Sequence, residues 1–411
     1  MKIVVQKYGG SSVGDLKKIA LVALHVKNSL VGGKKIIVVA SAMGKTTNHL
    51  ISQARQLAKK PDTREMDQLL SVGETQSVAF LTIKLIDLGV KAKSLTAKQI
   101  GLLTSNSHEN ARILGLESNE LVRDYLEEFD VLVVTGFQGT IQGTDEITTV
   151  GRGGSDAIAV ALAVEMEAEI CEIYTDVDGV FFTNPNIVQG AKKFKTITPG
   201  TMMKMFKAGA KVMMGRSVQI GQDFDMPIRV MLSPSFGKTD GGTLITRQTR
   251  TDIESTNAEN FASLGIREVA AVTISNIPNK PGMAAEIFSA IKTNVIEAVQ
   301  PLVDSNAFIT IYLEAEHVDT VVKDLQSLQS SNSELHDIAI TGFHDLVALT
   351  LIDEQMIDGP GYARAMLRCL SACGINIYSI YTAEENLGVI IKKEFLQAAA
   401  EAIAKEFCLI E

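Results

Sequence analysis

Over residues 1–245, short apolar runs alternate with segments whose apolar residues recur every three or four positions, and this alternation limits the fold more than any other feature of the chain. Strands are predicted near 36–40, 131–135, 170–175 and 228–232, and helices near 47–57, 65–88 and 156–166. Near-continuous apolar strands between amphipathic helices build a doubly wound α/β domain, a mostly parallel sheet covered on both faces. Ligands of such sheets bind beyond the carboxyl ends of the strands, so the loops that leave the strands hold the candidate site.

The 411 residues suffice for two or three domains. The alternation stops at 246, and a polar stretch over 247–262 reads as a linker. Beyond it, "VTISNIPNKPGMAAEIFSAIKTNV" and "LTLIDEQMIDGPGYARAMLRCLSACGINI" share a strand, a Pro-Gly turn, an amphipathic helix and an Asn that opens the next strand. Gly282 and Gly361 mark the turns and Asn294 and Asn376 the later strands, so the chain carries two copies of one small α+β unit, over 263–337 and 338–411. A net charge of −9 argues against nucleic acid and anionic membrane as partners. The N-terminal apolar run is too short for a signal peptide and no stretch reads as a membrane span, so a cytoplasmic location is expected. Cys369 and Cys373 share an apolar helical pattern with Met366 and Leu370 and are expected to be buried reduced thiols. No Cys or His spacing matches a metal-ligand pattern, and no protein-built metal site is expected.

Several loops carry charge or glycine where chemistry needs it. In "VVQKYGGSSVGD" a strand ends on Lys7 and Tyr8, and Gly9, Gly10 and Ser11 lead to a helix; such a loop is a phosphate cradle or a tight turn. Gly44-Lys45-Thr46 has the tail of a Walker A motif, but Val39 stands where its first glycine belongs, which leaves a strand-end loop and an N-cap. Gly151, Gly153 and Gly154 surround Arg152, and Ser155 and Asp156 open the helix that follows. That arrangement suits a carboxylate or phosphate held by a guanidinium, and equally a capped helix with a surface Arg. Thr175, Asp176, Asp178 and Phe181 form a strand-end edge that could take a nucleotide, or a plain turn. Glu74 follows a glycine in a helical pattern, where a charge is ordinarily solvated.

Together these pieces resemble the aspartokinases of the amino-acid kinase family. "KYGGSS", "VVASAMGKTT", "SVGE", "LLTSNSHENARI", "VTGFQG", "TTVGRGGSD", "YTDVDGV", "GAKVMMGRSV" and "GGTLI" stand in the order of that family across 1–245, within an expected kinase domain of 1–246, and the tandem repeat looks like its paired ACT domains. The resemblance implies an amino-acid kinase fold followed by two ferredoxin-like ACT domains, with the strand near 263–269 belonging to the second unit and the first inserted into it. It implies transfer of the γ-phosphoryl of ATP, bound with Mg²⁺, to the side-chain carboxylate of L-aspartate, the first step toward lysine, threonine and methionine. Lys7 and Lys211 would contact the transferring phosphoryl, with Asp156 orienting them. Tyr8, Gly9, Gly10, Ser11, Thr175, Asp176, Asp178 and Phe181 would hold the nucleotide. Ser41, Thr46, Gly153, Gly154 and Ser155 would line the aspartate site, where Arg152 takes the α-carboxylate and Glu74 the α-ammonium.

This chemistry suits the residue types. An aspartate carboxylate, pKa about 3.9, is ionised at neutral pH and needs no general base. The obstacle is its repulsion by the triphosphate: one pair of unit charges about 4 Å apart at an effective dielectric of about 20 is worth roughly 4 kcal/mol, or about three powers of ten in rate. Two rival readings are a kinase of the same superfamily acting on glutamate or acetylglutamate and an amino-acid sensor with a silent kinase domain; the retained charge set and Glu74 favour aspartate turnover. The ACT pair implies a homo-oligomer and feedback by lysine or threonine, held by Asn279, Gly282, Met283, Asn294, Gln300 and Asn376. The chain departs from the family at Met214-Gly215, where His-Pro is usual, at Phe181 and Asn184 on the nucleotide edge, and in the first ACT unit, where the acid falls one place late at Glu297.

Overall fold

The computed structural model describes residues 1–247, 262–293, 295–299, 302–303, 306–353, 356, 361–383 and 385–411. Most of the expected linker, with Asn294 and Gln300, lies outside them.

The chain divides into two compact units. Unit 1 comprises Met1–Phe181, Lys193–Lys207 and Lys211–Ala258. Its elements run β1 (Ile3–Tyr8), α1 (Leu16–Ser29), β2 (Lys35–Ala40), α2 (Thr46–Leu57), α3 (Thr63–Asp87), β3 (Ala92–Leu95), β4 (Leu102–Thr104), β5 (Ile113–Leu116), α4 (Asn119–Glu128), β6 (Val131–Thr135), β7 (Gln138–Ile141), β8 (Ile147–Thr149), α5 (Gly154–Glu165), β9 (Ile170–Thr175), β10 (Thr196–Ile197), α6 (Pro199–Lys207), α7 (Gly215–Asp223), β11 (Ile228–Leu232) and β12 (Thr243–Ile245). Eight strands form a sheet of order β10-β12-β11-β9-β1-β2-β6-β3, parallel except where β11 meets β12. β4, β5, β7 and β8 form a small second sheet.

Strand alternation decides the faces. Ile36, Val38 and Ala40 point to the side where Ile19, Val22, Ala23 and Val26 of α1 and Val78, Leu81 and Leu85 of α3 close the core. α5 covers the other face, packed on β1, β2 and β9, and its first ten residues are all buried, which accounts for its run of Ala and Val. α3 is long and apolar enough to cross a membrane, but half of its most apolar window is buried in the protein. β1 lies between β2 and β9, so the chain leaves it at the point where strand order reverses. Lys7, on the last turn of that central strand, therefore stands at the mouth of the sheet.

Unit 2 comprises Phe182–Lys192, Ala208–Ala210 and Glu259–Glu411. It holds β13 (Ser263–Pro278), α8 (Met283–Ala290), β14 (Glu297–Val299), β15 (Leu302–Val303), β16 (Asn306–Leu313), α9 (Val318–Ser331), β17 (Ala339–Ile352), α10 (Gly361–Ala372), β18 (Ser379–Ala383), β19 (Asn386–Lys392) and α11 (Leu396–Glu406). One antiparallel sheet of order β14-β16-β13-β17-β19-β18 carries both repeats, with β15 pairing β16. Ser263 to Val269 of β13 pair with Ile352 to Leu346 of β17, which in turn pairs β19; Ala270 to Pro278 pair with β16. The Leu264 N–H donates to the Phe182 carbonyl at 2.7 Å, so the short segment from Phe182 joins unit 2 at the start of β13. Of the paired cysteines, Cys369 is only half-buried and Cys373 is exposed. The expectation of two buried thiols is corrected: α10 buries Met366 and Leu370, and Cys373 lies past its last turn.

Candidate active site

The site begins with one ion pair. Lys7 Nζ lies 2.5 Å from Asp156 Oδ1, and both side chains are about nine-tenths buried. Lys7 reaches Asp156 because odd-numbered residues of β1 face α5, whose first turn carries Asp156. The same alternation turns Tyr8 away. Its ring is fully buried, stacks on Tyr174 at 4.7 Å and donates its hydroxyl to Gln6, which leaves the backbone as the part of Tyr8 nearest the loop, its carbonyl accepting from the Ser41 N–H at 3.1 Å.

After β1, the Ser12 and Val13 N–H groups fold back onto the Gly9 carbonyl, while those of Gly9, Gly10 and Ser11 have no protein acceptor among the described residues. Three successive N–H groups without acceptors at the end of a strand form an anion-binding concavity. The start of α1 contributes less, because Asp15 caps it and accepts from the Lys18 N–H. Gly10 is required sterically: a Cβ there would stand 2.8 Å from the Ala42 carbonyl oxygen, where the Gly44 N–H donates to the Gly10 carbonyl. Lys18 closes the outer side, donating to the Ser11 carbonyl and lying 4.4 Å over the Phe236 ring.

A second cluster of such N–H groups, on Arg152, Gly153 and Ser155, surrounds the start of α5. Gly153 takes a left-handed conformation, φ 69°, and Met214 lies directly against it, leaving no room for a Cβ. The departure from the family at Met214 thus falls on the wall of this turn. Arg152 is exposed and makes no ion pair among the described residues. Ser41 Oγ donates to Ser155 Oγ at 2.9 Å, tying the end of β2 to α5. Thr46, the first residue of α2, donates its hydroxyl back to the Met43 carbonyl in the loop before the helix.

Glu74 is not solvated, as a charge in a helical pattern ordinarily is; only 2% of it is exposed. Oε1 accepts the Ala42 N–H at 2.9 Å, and Oε2 is buried without a partner. Burial pushes its pKa up from 4.5 to about 7, against the lowering effect of the Ala42 bond. A buried carboxylate with one bare oxygen suits a cation.

On the nucleotide edge, Asp176 is exposed and accepts from the Thr175 hydroxyl. Asp178 differs: it accepts from Leu232 N, Thr239 Oγ1, Asp240 N and Lys193 Nζ, and although burial works to raise its pKa, the bonds with Asp240, Thr239 and Lys193 hold its carboxyl well below the usual range. Its oxygens are engaged by these protein donors, which tie the 238–240 loop to the end of the nucleotide edge. Phe181 is half-buried and bridges to Lys193. Lys211 is exposed, three residues before Met214, and no bond joins it to Lys7 or Asp156. In unit 2, Gly282 caps α8 with φ 98°, Met283 is buried, and Asn279 and Asn376 are exposed.

Residues 2–231 match the amino acid kinase family and residues 349–407 match the ACT domain. An aspartokinase of Mycolicibacterium smegmatis is 36% identical over 418 residues, spanning 100% of this chain and 97% of its own length. An aspartate kinase of Pseudomonas putida is 36% identical over 412 residues, spanning 100% and 98%. Among solved structures, the aspartate kinase of Synechocystis is 30% identical with a TM-score of 0.54, covering 99% of this chain and 69% of that one. Aspartokinase III of E. coli, in complex with aspartate and ADP in an R-state, has the same fold at 22% identity, with a TM-score of 0.77 and coverage of 99% and 100%.

Proposed function

The chain belongs to the amino acid kinase family and, within it, to the aspartokinases, which phosphorylate aspartate, and from this premise we propose how its own residues carry that reaction. The observation that carries the reading is the Lys7–Asp156 pair, at 2.5 Å, with N–H groups lacking protein acceptors at Gly9–Ser11 and around the start of α5. The first cluster receives the β- and γ-phosphates of ATP, and Lys7 supplies the positive charge that meets the transferring group. Asp156 fixes the rotamer of Lys7 and balances its charge in the free enzyme. Lys211 approaches the phosphoryl group from the loop before α7. Thr175, Asp176 and Phe181 line the nucleotide edge.

Aspartate binds across the turn at Arg152. The guanidinium and the N–H groups of Gly153 and Ser155 take the α-carboxylate, Ser41 and Thr46 border it, and the bare oxygen of Glu74 takes the α-ammonium. Pairing both ends of the amino acid leaves its side-chain carboxylate as the nucleophile, ionised and in need of no base. Mg²⁺ lowers the charge of the triphosphate and arrives with it. Among the described residues the one group of three ligands close enough to hold an ion is Glu314, Glu316 and His317 in unit 2, and the kinase unit offers no such set.

Unit 2 is read as a regulatory pair of ACT domains, over 263–337 and 338–411, that assembles the homo-oligomer and takes lysine or threonine at Asn279, Gly282, Met283 and Asn376, with Asn294 and Gln300 outside the described residues. ATP-dependent acyl-phosphate formation, trapped with hydroxylamine and compared for L-aspartate, L-glutamate and N-acetylglutamate, tests the reading. Turnover with aspartate at least tenfold above the others supports it; equal turnover overturns the Arg152–Glu74 assignment, and none with any substrate overturns the catalytic one.

A further inference from the structure

The site leaves one fully buried acid without a role. Asp67 lies on α3, seven residues before Glu74 and on the same face, about 10 Å along the helix axis. Its carboxylate accepts from the Thr149 hydroxyl at 2.6 Å, the Glu109 N–H at 3.1 Å and His108 Nδ1 at 2.8 Å. Thr149 ends β8, two residues before the turn that carries Arg152. Its carbonyl accepts the Ala111 N–H at 2.9 Å, and the Arg216 guanidinium donates to the carbonyls of both Val150 and Ala111. The far side of the turn closes on itself, the Gly154 N–H donating to the Gly151 carbonyl at 3.0 Å.

We propose that Asp67 is a positioning residue for aspartate binding: through Thr149 and the 108–111 segment it holds the Arg152 turn at a fixed distance from Glu74. One helix then sets both ends of the substrate, with Glu74 facing the ammonium and Asp67 anchoring the strand end from which the guanidinium projects. A carboxylate in a fully buried position is costly unless it is well bonded. A neutral side chain would serve packing alone. An acid that accepts from Thr149, His108 and Glu109 ties the end of β8 and the 108–109 segment to α3, a support that an exposed arginine between glycines cannot provide for itself.

The inference rests on Arg152 holding the α-carboxylate, and Arg152→Ala alone tests that premise. Steady-state kinetics on the full chain would compare Asp67→Asn, Arg152→Ala, the double variant, Thr149→Val and Thr149→Ser. Asp67→Asn is expected to raise the KM for aspartate at least tenfold with the KM for ATP within twofold of the parent. Thr149→Val is expected to shift it the same way by less, and Thr149→Ser to restore it. On the Arg152→Ala background, Asp67→Asn is expected to add less than twofold. The proposal is overturned by an aspartate KM within twofold of the parent, by parallel rises in both KM values, or by full additivity with Arg152→Ala. Should circular dichroism find Asp67→Asn unfolded, the Thr149 pair decides by the same KM split.

Discussion

Glu74 and Ala42 are joined by a single bond at 2.9 Å, and it satisfies only one of the two buried carboxylate oxygens. The free enzyme therefore carries a carboxyl whose pKa is raised to about 7 by burial. Between the ordinary value and about 7 the folded state holds a proton that the unfolded chain has released, so stability falls as pH rises across that window and levels off above it. The penalty at alkaline pH is on the order of 3 kcal/mol. Thermal unfolding from pH 5 to 8 should show a decline that Glu74→Gln abolishes, with the variant the more stable protein at pH 8. An unchanged pH profile in the variant would show that Glu74 is not the group responsible.

Aspartate binding should carry the opposite pH sign. The α-ammonium needs the ionised carboxylate, so kcat/KM for aspartate should climb toward pH 7 and then level, while that for ATP does not follow. Glu74→Gln should flatten the climb and raise the KM for aspartate. A parallel climb for both substrates would assign the titration to another group.

Arg152 stands between two glycines and is exposed. Losing a charge-assisted bond to the substrate costs about 1.5 to 3 kcal/mol. Arg152→Ala should therefore raise the KM for aspartate by roughly 10- to 150-fold and leave the KM for ATP and the melting temperature nearly unchanged. An aspartate KM within twofold of the parent would leave Arg152 as a surface residue.

Lys7→Ala should abolish most turnover, and the lone Asp156 left behind should also destabilise the fold by about 3 to 5 kcal/mol, because its buried charge loses its partner. The double variant Lys7→Met/Asp156→Asn should regain much of that stability and none of the activity. Activity within about fivefold of the parent in either protein would mean that Lys7 only marks a turn.

Lysine or threonine, singly or together, should bind unit 2 and inhibit the kinase, with lysine modestly the stronger. Couplings of about 1 to 3 kcal/mol correspond to roughly 5- to 150-fold effects. Calorimetric titration of the intact protein and of Asn279→Ala would detect it. Should neither amino acid bind below about 10 mM or change activity, unit 2 serves assembly alone.

The local periods of the chain decided much in advance. Apolar runs of 36–40, 131–135, 170–175 and 228–232 became strands of one sheet, since runs this short, rich in β-branched residues and set between helical patterns, bury best as strands. The glycines at 9 and 10 and around Arg152 announced loops in which backbone N–H groups lack protein acceptors among the described residues. Strand alternation also contained the orientation of Tyr8, one residue after Lys7 and so on the opposite face.

The tertiary structure alone decided the partners. Lys7 meets Asp156 from far along the chain because α5 crosses β1, and the order of strands, which no local pattern encodes, brings them together. Glu74 reads as a solvated charge until the loop at Ala42 closes over it and raises its pKa, an effect of burial that depends on neighbours distant in sequence. Asp178 in "YTDVDGV" reads as a nucleotide edge or a plain turn, and its bonds from Lys193, Leu232, Thr239 and Asp240 come from segments that no local pattern places beside it. Asp67 had a visible signal, an acid two helical turns before Glu74, but its meaning required β8 and the 108–111 segment to arrive beside α3. Residue types fix what chemistry each position can perform; the dielectric, the charge state and the partner of each group are properties of the packed chain, because they depend on what excludes water from it.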